Sequence, residues 1–141
     1  VHPISIRRSM PEVQRDSIRL RLPLKSEYLP VLRMATGVIA GVMTFNYDEI
    51  VQLRVAVSEA FSIAIRNIPG QMGPEQTDEV EFRFTVSPDK LEVLVVSGAN
   101  DIADLDKEDT EESRALLESL TDEVEFGGEQ YLVRMVKDLR S

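Results

Sequence analysis

The chain has no cysteine, and its one histidine, His2, stands at the very start. The first absence excludes disulfides, a thiol nucleophile and thiolate metal ligation. The second leaves almost no room for a Ser-His-Asp triad or a histidine-cluster metal site. No apolar run reaches the roughly 20 residues of a membrane-spanning helix, and nothing reads as a secretory signal. The first residue is Val, not Met, so it is not taken as the native start. These absences predict a cytoplasmic protein that uses no membrane. Basic residues are scarce over 75–129, where four Lys/Arg face eighteen Asp/Glu. Such an acidic region repels nucleic acid and suits a basic protein partner, or is simply a solvated surface. Over 1–33 the balance reverses, with seven basic residues against three acidic.

What remains is a composition that is 43% apolar over 141 residues, enough for one domain with one core. Residues 1–16 lack a period and read as an N-terminal tail, and 17–141 as a single domain. The stretch 17–24 (SIRLRLPL) alternates, with Ile18, Leu20 and Leu22 on one face and Arg19 and Arg21 on the other, as in a half-buried strand. Ser26 is the expected cap of a helix over 26–44, with Pro30 near its first turn and Leu29, Leu32, Ile39 and Met43 at helical spacing. Gly37 and Gly41, one turn apart, read as places where another element packs closely. Asn46 caps a second helix, 47–68, ended by Pro69-Gly70. Its core stripe is expected to run through Ile50, Leu53, Val57, Ala60 or Phe61, Ala64 and Ile68. Glu59, Ile63 and Asn67 form a second row, turned away from that stripe.

After a loop at 69–77, two alternating runs, 79–86 and 90–97, form a hairpin around Ser87-Pro88-Asp89. Residues 101–112 (DIADLDKEDTEE) hold seven carboxylates and one lysine. Asp101, Asp104 and Asp106 lack the spacing and the glycine of a calcium loop, so a solvated loop is expected, leading into a helix over 110–121 with Leu116, Leu117 and Leu120 as its apolar face. A last hairpin pairs 122–126 with 129–139 through a Gly127-Gly128 turn. There are no repeats. The order β-α-α-β-β-α-β-β predicts a two-layer α+β sandwich, a mostly antiparallel sheet with helices on one face.

With the elements placed, the chain resembles the bacterial anti-sigma factors that double as serine-protein kinases, of the RsbW and SpoIIAB type, within the GHKL superfamily of histidine kinase-like ATPases. The resemblance is carried by LPLKSEYLPVLRMATGVIA, NYDEIVQLRVAVSEA, KLEVLVVSG and LLESLTDEVEF…YLVRMVKDL, from about 17 to 139. It implies the Bergerat α/β sandwich and a nucleotide site of three parts. On the second helix the family reads Glu-Ala-x-x-Asn, the Glu a general base and the Asn a ligand of the magnesium that accompanies ATP. Here Glu59-Ala60-Phe61-Ser62-Ile63 keeps the base and puts Ile63 at the metal position, and Asn67 lies a further turn along. The family's adenine-binding Asp-x-Gly falls on Ser97 and Ala99. Its phosphate-cradling Gly-x-Gly at a helix start falls on Glu111-Glu112-Ser113.

Three parts that fail together imply a site that does without a cofactor, Glu59 being a vestigial base held by Arg66 or Arg83. The resemblance also implies a partner surface at Arg33 on the first helix, a homodimer, and two protein partners, a sigma factor and a STAS-domain anti-anti-sigma factor. The function expected is sequestration of the sigma factor by protein contact, in stress-type transcription regulation. The alternatives are an ATP-dependent serine kinase acting on the STAS-domain antagonist, with Glu59 as base, and a regulator of histidine-kinase-like signalling.

Overall fold

The computed structural model describes residues 15–66, 79–97, 107–128 and 131–140. Strand β1 is Asp16–Pro23. A 3₁₀ turn, Ser26–Tyr28, leads into α1, Leu29–Val42, and then α2, Tyr47–Arg66. Strands β2, Glu79–Val86, and β3, Lys90–Ser97, precede α3, Lys107–Leu120. Strands β4, Glu123–Gly128, and β5, Tyr131–Asp138, end the chain. The strands form one antiparallel sheet in the order β1-β2-β3-β5-β4. Among the described residues five strands and three helices make the α+β arrangement that the sequence predicts.

The register explains the layers. Leu22, Leu20 and Ile18 oppose Val80, Phe82 and Phe84, which in turn oppose Ser97, Val95 and Val93. On β3 the alternation is complete: Leu91, Val93, Val95 and Ser97 are buried and their neighbours only partly so. This face packs on Leu32, Ile39, Leu53, Phe61, Ile63 and Leu117 from the helices, with the Phe61 and Phe82 ring centroids 6.3 Å apart.

The opposite face carries charge. Glu81, 8% exposed, accepts hydrogen bonds from Arg83 and, at 3.1 Å, from Arg21. Arg134 reaches Glu92 at 2.7 Å and Glu125 at 3.1 Å. The hydrogen bond from Arg83, helped by Arg21, outweighs burial and holds the Glu81 carboxyl below its ordinary 4.5. The unfolded chain therefore binds the proton more readily, so this contribution is present above pH 4.5 and is lost as pH falls through the depressed folded value. Urea titrations on the acid side should show a falling midpoint, and Glu81→Gln should flatten that fall.

Three boundaries and one packing contact differ from the sequence expectation. Ser26 does not cap α1. Tyr28 stands at the N-cap of α1 and Lys25 at that of the preceding 3₁₀ turn, neither with a side-chain cap, and the Leu29 N–H bonds to the Ser26 carbonyl. Pro30 has no N–H to offer that carbonyl, so the chain enters the helix through i→i+3 bonds. Helix α3 starts at Lys107 rather than 110, its acidic first turn favoured by the helix dipole. The Gly127-Gly128 pair ends β4 rather than forming the turn: Gly128 pairs with Tyr131, and Gly127 takes φ 74°. Neither Gly37 nor Gly41 serves close packing. A Cβ on Gly37 would meet Arg54 Cδ at 3.6 Å, an ordinary contact, and one on Gly41 would meet nothing within 4 Å.

Between α1 and α2 the chain turns in a Schellman motif. The Thr44 N–H bonds to the Gly41 carbonyl at 3.0 Å and the Phe45 N–H to the Ala40 carbonyl at 3.2 Å. Thr44 sits at φ 67°, where a β-branched side chain is strained. Thr44→Gly should therefore raise stability by about 0.5–1 kcal/mol in chemical denaturation. Asn46 then caps α2 as expected. Its Oδ1 accepts the Glu49 N–H at 2.8 Å, and Glu49 Oε1 accepts the Asn46 N–H at 2.9 Å. Of the predicted tail 1–16, Asp16 already belongs to β1 and residues 1–14 lie outside the described residues, as do the Pro69-Gly70 stop with its loop and the Asp101–Asp106 segment.

Candidate functional site

The capping box fixes where α2 begins, and so which of its residues meet α3. Glu59 and Arg66 are seven residues apart, two turns, and lie on the face turned toward α3. Across from them Ser113, 3% exposed, donates its hydroxyl to Glu59 Oε2 at 2.5 Å and accepts from Arg66 Nη2 at 3.2 Å. Arg66 Nη2 stands 3.7 Å from the same Glu59 oxygen. Of the two arginines weighed for Glu59, Arg66 is the partner. Arg83 is on the far side of the sheet with Glu81.

A hollow of about 260 Å³ opens beside this cluster, lined by Glu59, Arg66, Glu112, Ser113 and Leu116. Leu116, expected on the apolar face of α3, instead borders this hollow and is 38% exposed. Leu117 is fully buried in its place. The C-terminus of α3 is held from β5, where Lys137, 7% exposed, donates to the Leu120 carbonyl at 2.8 Å and to Gln52 of α2 at 2.5 Å.

The position of Ile63 corrects the expectation of a row turned away from the core. Ile63 is 1% exposed and belongs to the core cluster. Helix α2 packs against α1 on one side and α3 on the other as well as over the sheet, so its buried arc is wider than one stripe. Glu111-Ser113 also sits differently from the expected helix start. These are the fifth to seventh residues of α3, past the four N–H groups that a helix leaves free. Glu111 and Glu112 face solvent, and Ser113 turns in to Glu59. Ser97 ends β3 on the buried face, 7% exposed. Asn67 and Ala99 lie outside the described residues.

The described residues thus bring Glu59, Ser113 and Arg66 together, with Ile63 in the adjoining core. Magnesium on a triphosphate needs oxygen ligands and free N–H donors. At the positions that the resemblance implies for such a site, Glu59 is a hydrogen-bonded carboxylate, Ile63 a buried hydrocarbon and Glu111-Ser113 a helix interior.

Arg33 is elsewhere. It lies exposed on α1 and reaches across to α2, its Nε donating to Ser58 Oγ at 2.9 Å, while Ser58 donates to the Arg54 carbonyl at 2.7 Å. The sequence reading had found neither Ser58 nor the hydroxyl link from Ser113 to Glu59. Both are contacts between helices, and no spacing within one helix announces them.

No protein-family model matches this chain. Among characterised proteins it is similar to the serine-protein kinase RsbW of Bacillus licheniformis, 37% identical over 95 residues, which are 66% of this chain and 58% of that protein. It is similar to the serine-protein kinase RsbW of Bacillus subtilis, 36% identical over 80 residues, 57% of this chain and 48% of that one. The Bacillus cereus protein of the same name is 31% identical over 80 residues. The chain spans about half the length of the curated relatives it matches. The resemblance first carried by YDEIVQLRVAVSEA thus has counterparts among curated proteins: over 57–66% of its length the chain is similar to proteins named serine-protein kinase RsbW.

Proposed function

We propose that the chain regulates transcription by holding a sigma factor through protein contact at the α1 surface around Arg33, without turning over ATP. It acts as a homodimer and is released by a STAS-domain antagonist. The observation that carries this reading is Ile63. A side chain 1% exposed in the core cannot be a metal ligand, nor can it be exchanged for one without opening the core. The clasp of Ser113 and Arg66 on Glu59 supports it, because both engage Oε2, an oxygen that would otherwise be free to take the proton of an attacking hydroxyl.

The similarity to serine-protein kinases supports a second reading, a serine kinase acting on the STAS-domain antagonist with Glu59 as base. Calorimetric titration with Mg·ATP and Mg·ADP separates the two. We expect no heat at millimolar nucleotide, and saturation in the micromolar range would install the kinase reading instead. In parallel, purified bacterial sigma factors titrated against the wild type and Arg33→Glu should bind the first and not the second. Undiminished binding to Arg33→Glu would remove Arg33 from the contact.

A further inference from the structure

Strand β4 forms one border of the sheet. Among the described residues its one strand partner is β5, so every second residue of β4 turns its backbone N–H and C=O outward with no strand to receive them. Border strands are ordinarily blunted by lysine, by proline or by a charge on the buried side. The run Glu123 to Phe126 carries none of these. Val124 and Phe126 lie on the inner face, opposite Met135 and Val133, while Glu123 and Glu125 lie on the outer one. Both glutamates are exposed, and the two apolar residues are only partly buried. Arg114 of α3 stands over the Phe126 ring, 4.7 Å from its centroid.

The charge on this border is unbalanced. Arg134 donates to Glu92 at 2.7 Å, to Glu125 at 3.1 Å and to Glu123 at 3.5 Å, one guanidinium for three carboxylates. Glu125 also accepts the Tyr131 hydroxyl at 2.8 Å. The two carboxylates on β4 still keep about half of their side-chain surface in solvent, 53% for Glu123 and 55% for Glu125. Among the described residues no cation other than Arg134 stands within ion-pair distance of either. The opposite border has the opposite sign. There β1 places Arg19 and Arg21 in the outer row, and Arg21 is answered by Glu79 and Glu81 of β2. A strand drawn to one border is repelled by the other.

We infer that β4 accepts an added strand from a basic partner protein, one in which lysine or arginine alternates with apolar residues. The partner's backbone completes the outward hydrogen bonds of β4. Its cations lie beside Glu123 and Glu125, and its apolar side chains extend the row of Val124 and Phe126. An acidic patch alone would take a cation of any shape. Carboxylate and hydrocarbon alternating along a free backbone select an extended segment. The β1 strand of a second copy has suitable signs. Joining the two ends of one sheet is, however, a head-to-tail contact that propagates from copy to copy, and Arg21 is already engaged, so a separate partner is the occupant. The inference goes beyond the proposed sigma-factor role and is independent of the surface around Arg33.

Fluorescein-labelled peptides in which lysine and valine alternate test it, read by anisotropy against the whole chain. The basic peptide should bind, and its counterpart with glutamate for lysine should not. Methylating the backbone nitrogens of every second residue removes the donors along one side of the peptide. Of the two peptides so made, one should bind about tenfold or more weakly and the other nearly as well as the parent. Glu123→Lys should also weaken the parent about tenfold or more, whereas Glu27→Lys, the same change of net charge beside the far border, should alter it by less than about twofold. Glu123 is exposed and makes the longest of the three contacts to Arg134, so its variant should keep the wild-type melting temperature. No binding of the basic peptide, equal binding of the acidic one, equal losses for the two variants, or indifference to both methylated forms would overturn the inference. So would sedimentation equilibrium in which Glu123→Lys abolishes self-association of the wild type, since the border then holds a second copy. Failure here leaves the proposed function intact, because sigma-factor binding is read on Arg33→Glu.

Discussion

Ile63→Asn should cost about 3 kcal/mol of folding stability and bring no affinity for Mg·ATP. The substitution places at position 63 the residue type that the resemblance implies for a metal ligand, so the intuitive expectation is a gain of nucleotide binding. The packing predicts otherwise. Ile63 is one of the largest fully buried side chains and lies in the cluster that joins α2 to the sheet. An asparagine there forfeits hydrocarbon contacts and places an amide where burial leaves it short of hydrogen-bond partners. Ile63→Val, which keeps the site apolar, should cost only about 1 kcal/mol. Urea denaturation gives both differences. An Asn variant as stable as the wild type, or one that gives saturable heat with Mg·ATP, would show that the position is far less closed than its 1% exposure indicates.

Leu117→Ala should cost a similar amount, about 3 kcal/mol, and its effect should be concentrated in one helix. Helix α3 is the most polar of the three, KEDTEESRALLESL. Leu117 is its one fully buried apolar side chain among the described residues, with Leu120 only partly buried and Leu116 exposed. The remaining ties are polar: Ser113 to Glu59 and Arg66, and Lys137 to the Leu120 carbonyl. Removing the leucine leaves those hydrogen bonds to hold an otherwise solvated helix. Amide hydrogen exchange should then rise in α3 well before it rises in β2 and β3. Uniform acceleration across the sheet would mean that α3 is not a separately opening unit.

Those two residues also show what the sequence could and could not disclose. Wherever one element meets one neighbour, periodicity was enough. The β2–β3 hairpin, the inward register of Val93, Val95 and Ser97, the Asn46 cap and the burial of Leu32 and Ile39 on α1 and of Met43 just past its end all stand as read. Where an element meets several neighbours, a single stripe misleads. Helix α2 is flanked by α1 and α3, and Ile63 lies on the extra arc of burial. The acidic residues that suggested a loop before 110 are also good company for a helix N-terminus, and α3 starts at Lys107. The two small polar clusters, Glu59 with Ser113 and Arg33 with Ser58, join residues 54 and 25 positions apart. Side chains that meet only after tertiary packing leave no local pattern.

The order of the sheet has a kinetic side. Strand β1 reaches its one sheet partner among the described residues, β2, across both α1 and α2, so that Arg21 meets Glu81 sixty positions away. The β2–β3 pair needs only the short Ser87-Pro88-Asp89 turn, and β4–β5 are likewise neighbours in sequence. Loop closure favours the near pairs. The four strands from β2 onward can thus assemble while β1 is still unpaired, leaving one border of the sheet open on β2. A nascent chain delivers β1 first and must hold it in waiting until the rest has emerged. Misassembly, when it occurs, is to be looked for along that late-closing border, where a strand from another molecule could take the place that β1 fills last.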